Sequence, residues 1–305
     1  MTAVATEPVE TPRVRRRSKF DIAASAALLP MTIIFVVAYV VTAGWSIILS
    51  FTSSRLYPVY DFVGLQQYAA ILADGRFAIA LKNVAVFGPL VIVLSLVFGF
   101  GLAILIDQKV RYEGVFRSVF LYPYAMSFII TGFLWRWLLS PTYGLDRMMQ
   151  DLGFKDFHFD WLVNPDLVVF TLVIAFTWHS TGLVMALALA GLRGVDPDIW
   201  KALKVDGVPR WRAYVSVVLP MMGATAATAT VLLAISVIKV YDLVVAMTQG
   251  GPNLASQMPG NVVMGYMFER ANLGLSLAGV VIMLMGVIAI LAPWYYAQSL
   301  AGKRK

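Results

Sequence analysis

Few side chains in this sequence can make or break bonds. There is no cysteine, which removes thiolate nucleophiles, disulfides and thiolate metal sites. The two histidines, His158 and His179, stand 21 positions apart, so no His-pair metal motif exists. No apolar run holds two carboxylates, and no Gly-x-x-x-x-Gly-Lys-Ser/Thr loop is present to cradle nucleotide phosphates. What remains is suited to binding. Lys239 and Asp242 lie three apart inside an apolar run, with Tyr241 between them. Continuous helix would put the two charges on one face, either as a structural ion pair or facing a solute. Trp178 and His179 offer an aromatic face beside a hydrogen-bonding ring, which suits a hydroxyl-rich solute. The alternative for His179 is a packed, hydrogen-bonded helix residue. Asn83 is a further candidate, with a helix cap or an interhelical hydrogen bond as its alternative.

The elements that must position these groups are apolar helices. Of 305 residues, 60% are hydrophobic and only 13% charged, about half the charge of a soluble domain. Six apolar runs stand out, at 22–49, 81–106, 119–139, 167–192, 221–247 and 273–297. Each is long enough to cross ~30 Å of hydrocarbon as a helix. The expected fold is an all-α membrane protein with six transmembrane helices. It divides into a basic, disorder-prone stretch 1–20, a first helix with its outer segment 21–80, a core domain 81–298 and a basic tail 299–305. The run after the basic start is too long for a signal h-region and is read as a retained helix. Of the 24 Lys and Arg, 16 fall on the side that holds both termini, 7 on the other, and Lys239 lies within the fifth run. The excess predicts cytoplasmic termini. The net charge of +7 therefore reads as membrane orientation, with no nucleic-acid partner. Gly99, Gly101, Gly279 and Gly286 are expected to permit close helix packing, and Arg136 to mark the headgroup level.

Between the fourth and fifth runs lies an unusually basic stretch. Asp196 is a suitable N-cap, Pro197 suits the first helical position, and Asp198 complements the positive helix end. A helix 197–206 would stop at Gly207 in a left-handed conformation, with Pro209 discouraging its resumption. A second helix restarts near Arg210 and enters the fifth run at Pro220. Ile199, Trp200 and Leu203 form an apolar edge, Lys201 and Lys204 a basic one. Such a surface hairpin either rests on lipid headgroups or docks a cytoplasmic partner.

The segment Lys201-Ala202-Leu203-Lys204-Val205-Asp206-Gly207-Val208, followed by Leu219-Pro220, resembles the cytoplasmic loop signature of permease subunits of bacterial ABC importers. That signature reads Glu-Ala-Ala-x-x-Asp-Gly-Ala, with a Leu-Pro about ten residues on. Lys201 here replaces the family Glu and Leu203 the second Ala. Phe62-Val63-Gly64-Leu65-Gln66-Gln67-Tyr68 with Asp74 and Phe77, then Phe120-Leu121-Tyr122-Pro123, then Thr248-Gln249-Gly250-Gly251-Pro252, are similar to segments of the sugar-importer branch, in the same order.

The resemblance implies a non-catalytic subunit forming half of a pathway for a neutral mono- or small oligosaccharide in the bacterial inner membrane. It implies a second permease, a dimer of cytoplasmic ATP-binding subunits that alone carry ATP and magnesium, an extracytoplasmic sugar-binding protein, and surrounding lipid. The 197–219 hairpin would couple to the ATPase through Asp198, Trp200, Lys201, Ala202, Leu203, Asp206, Gly207, Leu219 and Pro220. Asp206 would brace the knob, and Asp198 or Asp206 stand in for the missing Glu. Trp200 would be a docking hot spot or an interface anchor. The substrate pathway would include Asn83, Trp178, His179, Lys239, Tyr241 and Asp242. Thr248, Gly250, Gly251 and Pro252 would face an outer vestibule. A polyol or glycerol-phosphate permease, or a stand-alone secondary transporter using Lys239 and Asp242 as a relay, are the alternatives. A phosphate ligand would want Arg in the pathway, and the fifth and sixth runs contain none.

Overall fold

A computed structural model describes residues 22–108 and 110–302. The basic start and the last three residues therefore lie outside the described residues. The described residues are helical, apart from turns and one isolated bridge between Thr52 and Phe62. That suits a hydrocarbon environment, where backbone polar groups must be satisfied within the segment.

The chain divides into two compact units, 1–48 and 49–305. In the first, α1 (Ile22–Phe35) passes through a π-helical stretch, Val36–Val41, into α2 (Thr42–Leu49). Leu28–Leu49 is apolar enough to span a membrane.

The second unit contains α3 (Gln66–Leu72), α4 (Gly75–Asp107), α5 (Glu113–Ala125), α6 (Phe128–Leu138), α7 (Leu145–Asp151), α8 (Val168–Arg193) and α9 (Pro197–Val205). These are followed by α10 (Arg210–Ala213), a π-helical turn Tyr214–Val218, α11 (Leu219–Met221), α12 (Gly223–Ile238), α13 (Asp242–Met247) and α14 (Pro259–Met264). A second π-helical turn, Gly265–Glu269, precedes α15 (Leu273–Gly302), which extends into the expected tail.

Three helices among the described residues are long and apolar enough to cross a membrane, or five if each of two bent pairs is one span. The sequence reading expected the third and fifth spans unbroken, and both are broken. Helices α5 and α6 meet at 98°. Met126 adopts extended backbone there, and Ser127 Oγ caps α6 by accepting from the Ile130 amide at 3.3 Å. The segments Arg210–Met221 and Gly223–Ile238 meet at 70° just after Pro220, which has no amide hydrogen to continue the ladder. The fifth run is interrupted again between Ile238 and Asp242.

Helix α8 is the axis of this unit, with 67% of its most apolar window buried, against 28% for α4. Its polar residues thus face protein. Three packed clusters follow α4 along its length. Phe77 joins Ile71, Val262 and Ala278 near its start. Phe87 and Val91 join Phe176, Leu233 and Met247 in the middle, with Phe87 edge-on to Phe176 at 5.4 Å. Ala103 and Ile106 join Met185, Leu192 and Tyr214 at its end. Close approach depends on small residues, as in membrane bundles generally. A Cβ on Gly99 would sit 2.5 Å from Val184 Cβ, and one on Gly279 would sit 2.7 Å from Val263. Gly101 and Gly286, expected to act likewise, have open space around them, because they point away from the contact.

Candidate functional site

Three regions carry the residues singled out in the sequence, and α4 connects two of them. At 33 residues it is about 48 Å long at 1.5 Å per residue. One end carries the 197–219 hairpin, the other the loop after α13.

At the hairpin end the local signals set the backbone. The Asp196 side chain accepts from the Asp198 amide at 2.9 Å, and Pro197 occupies the first turn. Gly207 has φ +68°, with Val208 N bonded to Leu203 O at 3.0 Å and Gly207 N to Lys204 O at 3.3 Å. This paired closure is a Schellman stop. Trp200 is half-buried. Its ring stands edge-on to Tyr214 at 5.1 Å, against the cluster of Met185, Leu192 and Val218. The sequence reading gave Trp200 to a partner or to lipid, but it faces inward and fixes the hairpin to the bundle. Tyr214 Oη donates to Asp107 Oδ2 at 2.8 Å, tying the same contact to the end of α4.

Lys201 pairs with Asp198 at 2.7 Å, both exposed, so one of the two acids expected to replace the family Glu is already engaged within its own helix. Asp206 is exposed and its side chain makes no hydrogen bond among those described, so the turn is braced by backbone instead. Leu203 and Leu219 are half-buried, while Ala202 and Pro220 are exposed. The tip also presents Val205, 86% exposed, and Trp211, 69% exposed, which sequence reasoning did not single out. Val205 closes α9 just before the turn and Trp211 follows it, and both stand outside the apolar edge that the helical period defines.

In the middle of the bundle His179 is 4% exposed. Its ring stacks on Phe128 at 4.1 Å and its Nδ1 lies 3.2 Å from Thr131 Oγ1. That environment matches the packed alternative. Trp178 is half-buried and edge-on to Trp135 at 5.8 Å. Around them Trp135 Nε1 and Thr177 Oγ1 are buried with no hydrogen-bond partner.

Lys239 and Asp242 are not a pair. Lys239 closes α12, Asp242 opens α13, and both are exposed with no ion pair between them among the described residues. The three-residue spacing implies a shared face only in continuous helix, and the helix breaks between them.

At the loop end Asn83 donates to the carbonyls of Ala255 at 2.7 Å and Gln257 at 2.9 Å. Its amide hydrogens are thus committed to holding the loop. Ser256 Oγ lies 2.8 Å from Thr248 Oγ1 and 2.5 Å from the Gly251 carbonyl, which closes the turn. Gly250 has φ +83° and is buried against the Gln257 side chain, and Gly251 and Pro252 complete the half-buried turn. Beside it opens a cleft of about 400 Å³ walled by Tyr241, Gln249, Gln257, Asn261, Arg76 and Arg270. The Asp74 carboxylate accepts from the Arg76 amide at 2.9 Å and from the Tyr266 hydroxyl. Burial first, then the Asp74 hydrogen bond, raises the Tyr266 hydroxyl above its ordinary range. The amides Gln249, Gln257 and Asn261 were missed in the sequence, although they stand within and just after the Thr-x-Gly-Gly-Pro turn.

Residues 95–297 match the family of binding-protein-dependent transport system inner membrane components. The chain is 31% identical over 278 residues to a probable ABC transporter permease protein of Pyrococcus horikoshii, covering 88% of this chain and 95% of that one. It is 27% identical to a xylose/arabinose import permease protein of Haloferax volcanii, covering 90% and 87% respectively. Among solved structures it resembles a chain of a bacterial ABC transporter involved in the import of the acidic polysaccharide alginate. The TM-score is 0.77 at 18% identity, covering 92% of this chain and 95% of that one.

Proposed function

The chain belongs to the family of binding-protein-dependent transport system inner membrane components, the permease subunits of ABC importers, and from that premise we propose that it forms half of the translocation pathway for a neutral mono- or small oligosaccharide. It is a non-catalytic membrane subunit for sugars or related substrates. In the proposed arrangement six spans place both termini in the cytoplasm, and a second permease completes the pathway. Two ATP-binding subunits, which alone carry ATP and magnesium, bind beneath the hairpins, and an extracytoplasmic sugar-binding protein delivers the solute.

The observation that carries the coupling half of this reading is the hairpin. Its tip is rigid, through the Schellman stop at Gly207, and its root is tied through Trp200 and Tyr214 to the end of α4. A knob that is stiff at both ends passes displacement to the helix that bears it. Asp198 and Lys201 are neutral as a pair. Docking therefore rests on shape and on Val205 and Trp211 more than on a charge contact, since exposed ion pairs contribute ~0–1 kcal/mol.

The substrate half rests on chemistry along the bundle. Trp135 and Trp178 supply aromatic surface, with Thr177 carrying an unpartnered hydroxyl beside them. That combination suits a hydroxyl-rich neutral ligand. One observation favours the polyol-phosphate alternative: Arg76 and Arg270 both wall the loop-end cleft. Glu269 shares that wall and Arg270 lies over the Tyr266 ring at 5.0 Å, so one carboxylate stands against the two cations there.

The test is chain-dependent uptake in inverted and right-side-out membrane vesicles. Uptake of a neutral sugar is expected to require ATP and to survive a protonophore, and co-purification is expected to bring a second permease and an ATPase. Replacing Gly207 by Pro is expected to lose the ATPase alone. Uptake driven by a proton gradient, or by glycerol 3-phosphate in preference to sugars, would overturn the neutral-sugar importer.

A further inference from the structure

The hairpin is not packed flush against the bundle. A groove of about 710 Å³ runs between them, walled by Leu192, Leu203, Val208 and the Trp200 and Tyr214 rings. Its rim carries Arg193, Lys204 and Arg210. Among the described residues Asp107 is the one carboxylate that lines it, and Asp107 already accepts from the Tyr214 hydroxyl at 2.8 Å. Arg193 is held by Glu113 at 2.5 Å. Lys204 and Arg210 are exposed and have no ion pair among the described residues. Two uncompensated cations over apolar walls suit a ligand that is anionic at one end and apolar at the other. The groove opens onto α4 at Gln108, which caps that helix. Leu94, Phe98, Gly101, Leu105 and Gln108 recur at steps of three and four, so they share one face that leads away from the groove. Phe98 is 53% exposed and Leu105 60%. Gly101 between them has nothing within 4 Å of where a Cβ would stand. The face thus carries an apolar notch floored by bare backbone, and it starts where the cations are.

We propose that this groove holds the phosphate headgroup of an anionic phospholipid, with Lys204 and Arg210 on the phosphate and one acyl chain lying over Gly101 between Phe98 and Leu105. The rim alone would serve any phosphate-bearing solute. The notch selects a lipid, because a soluble anion or a partner's acidic side chain gains nothing from an apolar track beside it. Basic pockets where helices end at a membrane surface suit such headgroups. A lipid at the root of the hairpin leaves its tip, with Val205 and Trp211, open to a protein partner. The proposal needs a membrane-embedded permease and nothing about the solute carried, so it stands or falls apart from the neutral-sugar reading.

Because the chain has no cysteine, one introduced thiol reports alone. The full chain, with any co-purifying subunits, is placed in phosphatidylcholine nanodiscs. A bimane fluorophore is carried on Leu105→Cys at the notch or, as control, on Phe133→Cys, exposed on α6. Quenching by brominated phosphatidylglycerol is compared with quenching by brominated phosphatidylcholine at equal mole fraction. Phosphatidylglycerol is expected to quench Leu105→Cys several-fold more strongly and to show no preference at Phe133→Cys. Lys204→Gln with Arg210→Gln is expected to abolish the preference, and Lys204→Arg with Arg210→Lys, which keep both charges, to retain it. Gly101→Leu, which fills the notch, is expected to reduce it with both cations in place. Melting temperatures in detergent, expected to match the parent, separate lost binding from lost folding. Equal quenching by the two lipids, an equal preference at Phe133→Cys, or a preference untouched by the double Gln variant or by Gly101→Leu overturns the proposal. Loss of the preference in inorganic phosphate, but not in chloride of equal ionic strength, assigns the groove to a soluble anion. A preference shown by the chain alone but lost with its subunits present assigns it to a partner's acidic group. Either result overturns the lipid.

Discussion

The two ends of α4 are organised on different principles. Apart from the Tyr214 bond to Asp107, the hairpin end is built from backbone, capping and aromatic contacts whose partners lie close in sequence: Asp196 to Asp198, Leu203 to Val208, Trp200 to Tyr214. The loop end is built from side-chain bonds over long separations. Asn83 reaches carbonyls 172 and 174 residues away, and Tyr266 reaches Asp74 over 192. The first arrangement makes a knob that keeps its shape when its surroundings move. The second makes a joint whose two halves separate once a few hydrogen bonds break. Under the proposed function the first would dock to an ATPase and the second would open to a solute, and those are opposite needs.

The contrast can be broken most severely at Gly207. A β-branched residue at φ +68° is strained by about 1–2 kcal/mol or more. Gly207→Val is therefore expected to cut ATP-driven uptake by about tenfold or more, by the 1.4 kcal/mol-per-decade rule. Maleimide labelling of Gln249→Cys at the far end should stay unchanged. Next in size is Asn83→Leu, which strands two loop carbonyls at about 1–3 kcal/mol if they stay buried. Its melting temperature in detergent should fall and labelling of the 248–258 loop should accelerate, with the hairpin unaffected. Tyr214→Phe keeps the ring against Trp200 but removes the bond to Asp107. It should lose about 1–2 kcal/mol in chemical denaturation and weaken coupling of ATP hydrolysis to uptake. Lys201→Ala is the smallest change. The exposed pair with Asp198 should contribute only a few tenths of a kcal/mol, so stability should hold to within measurement error. A large loss of ATPase binding in that variant would show that charge, and not shape, governs the tip.

These two ends also differ in how far they were legible in the sequence. The hairpin was readable because capping, turn and stop are local: Asp196-Pro197 and Gly207-Val208-Pro209 each specify backbone within a few residues. What the same segment hid was direction. Spacing placed Trp200 on an apolar edge without saying whether that edge faced lipid, a partner or its own bundle. The loop end was legible only as a Thr-x-Gly-Gly-Pro turn. Asn83 bonding to Ala255 and Gln257 is a tertiary fact that no periodicity carries. Lys239 and Asp242 failed for a related reason. Ile-Lys-Val-Tyr-Asp contains no glycine or proline, so the break is set by Val240 being drawn into the core rather than by local propensity. The bends after Ala125 and Met221 had a visible proline nearby, at Pro123 and Pro220, yet apolarity alone hid them.

Helix α4 begins at a carboxylate cap, Asp74, that also receives the Tyr266 hydroxyl, and ends at a second carboxylate, Asp107, that receives the Tyr214 hydroxyl. It is thus a lever pinned at both tips by the same kind of bolt. For a rod of this length, rocking by about 10° sweeps one tip through about 8 Å relative to the other. In the proposed importer, displacement of the knob would therefore reach the opposite tip through this one helix, with no helix required to melt.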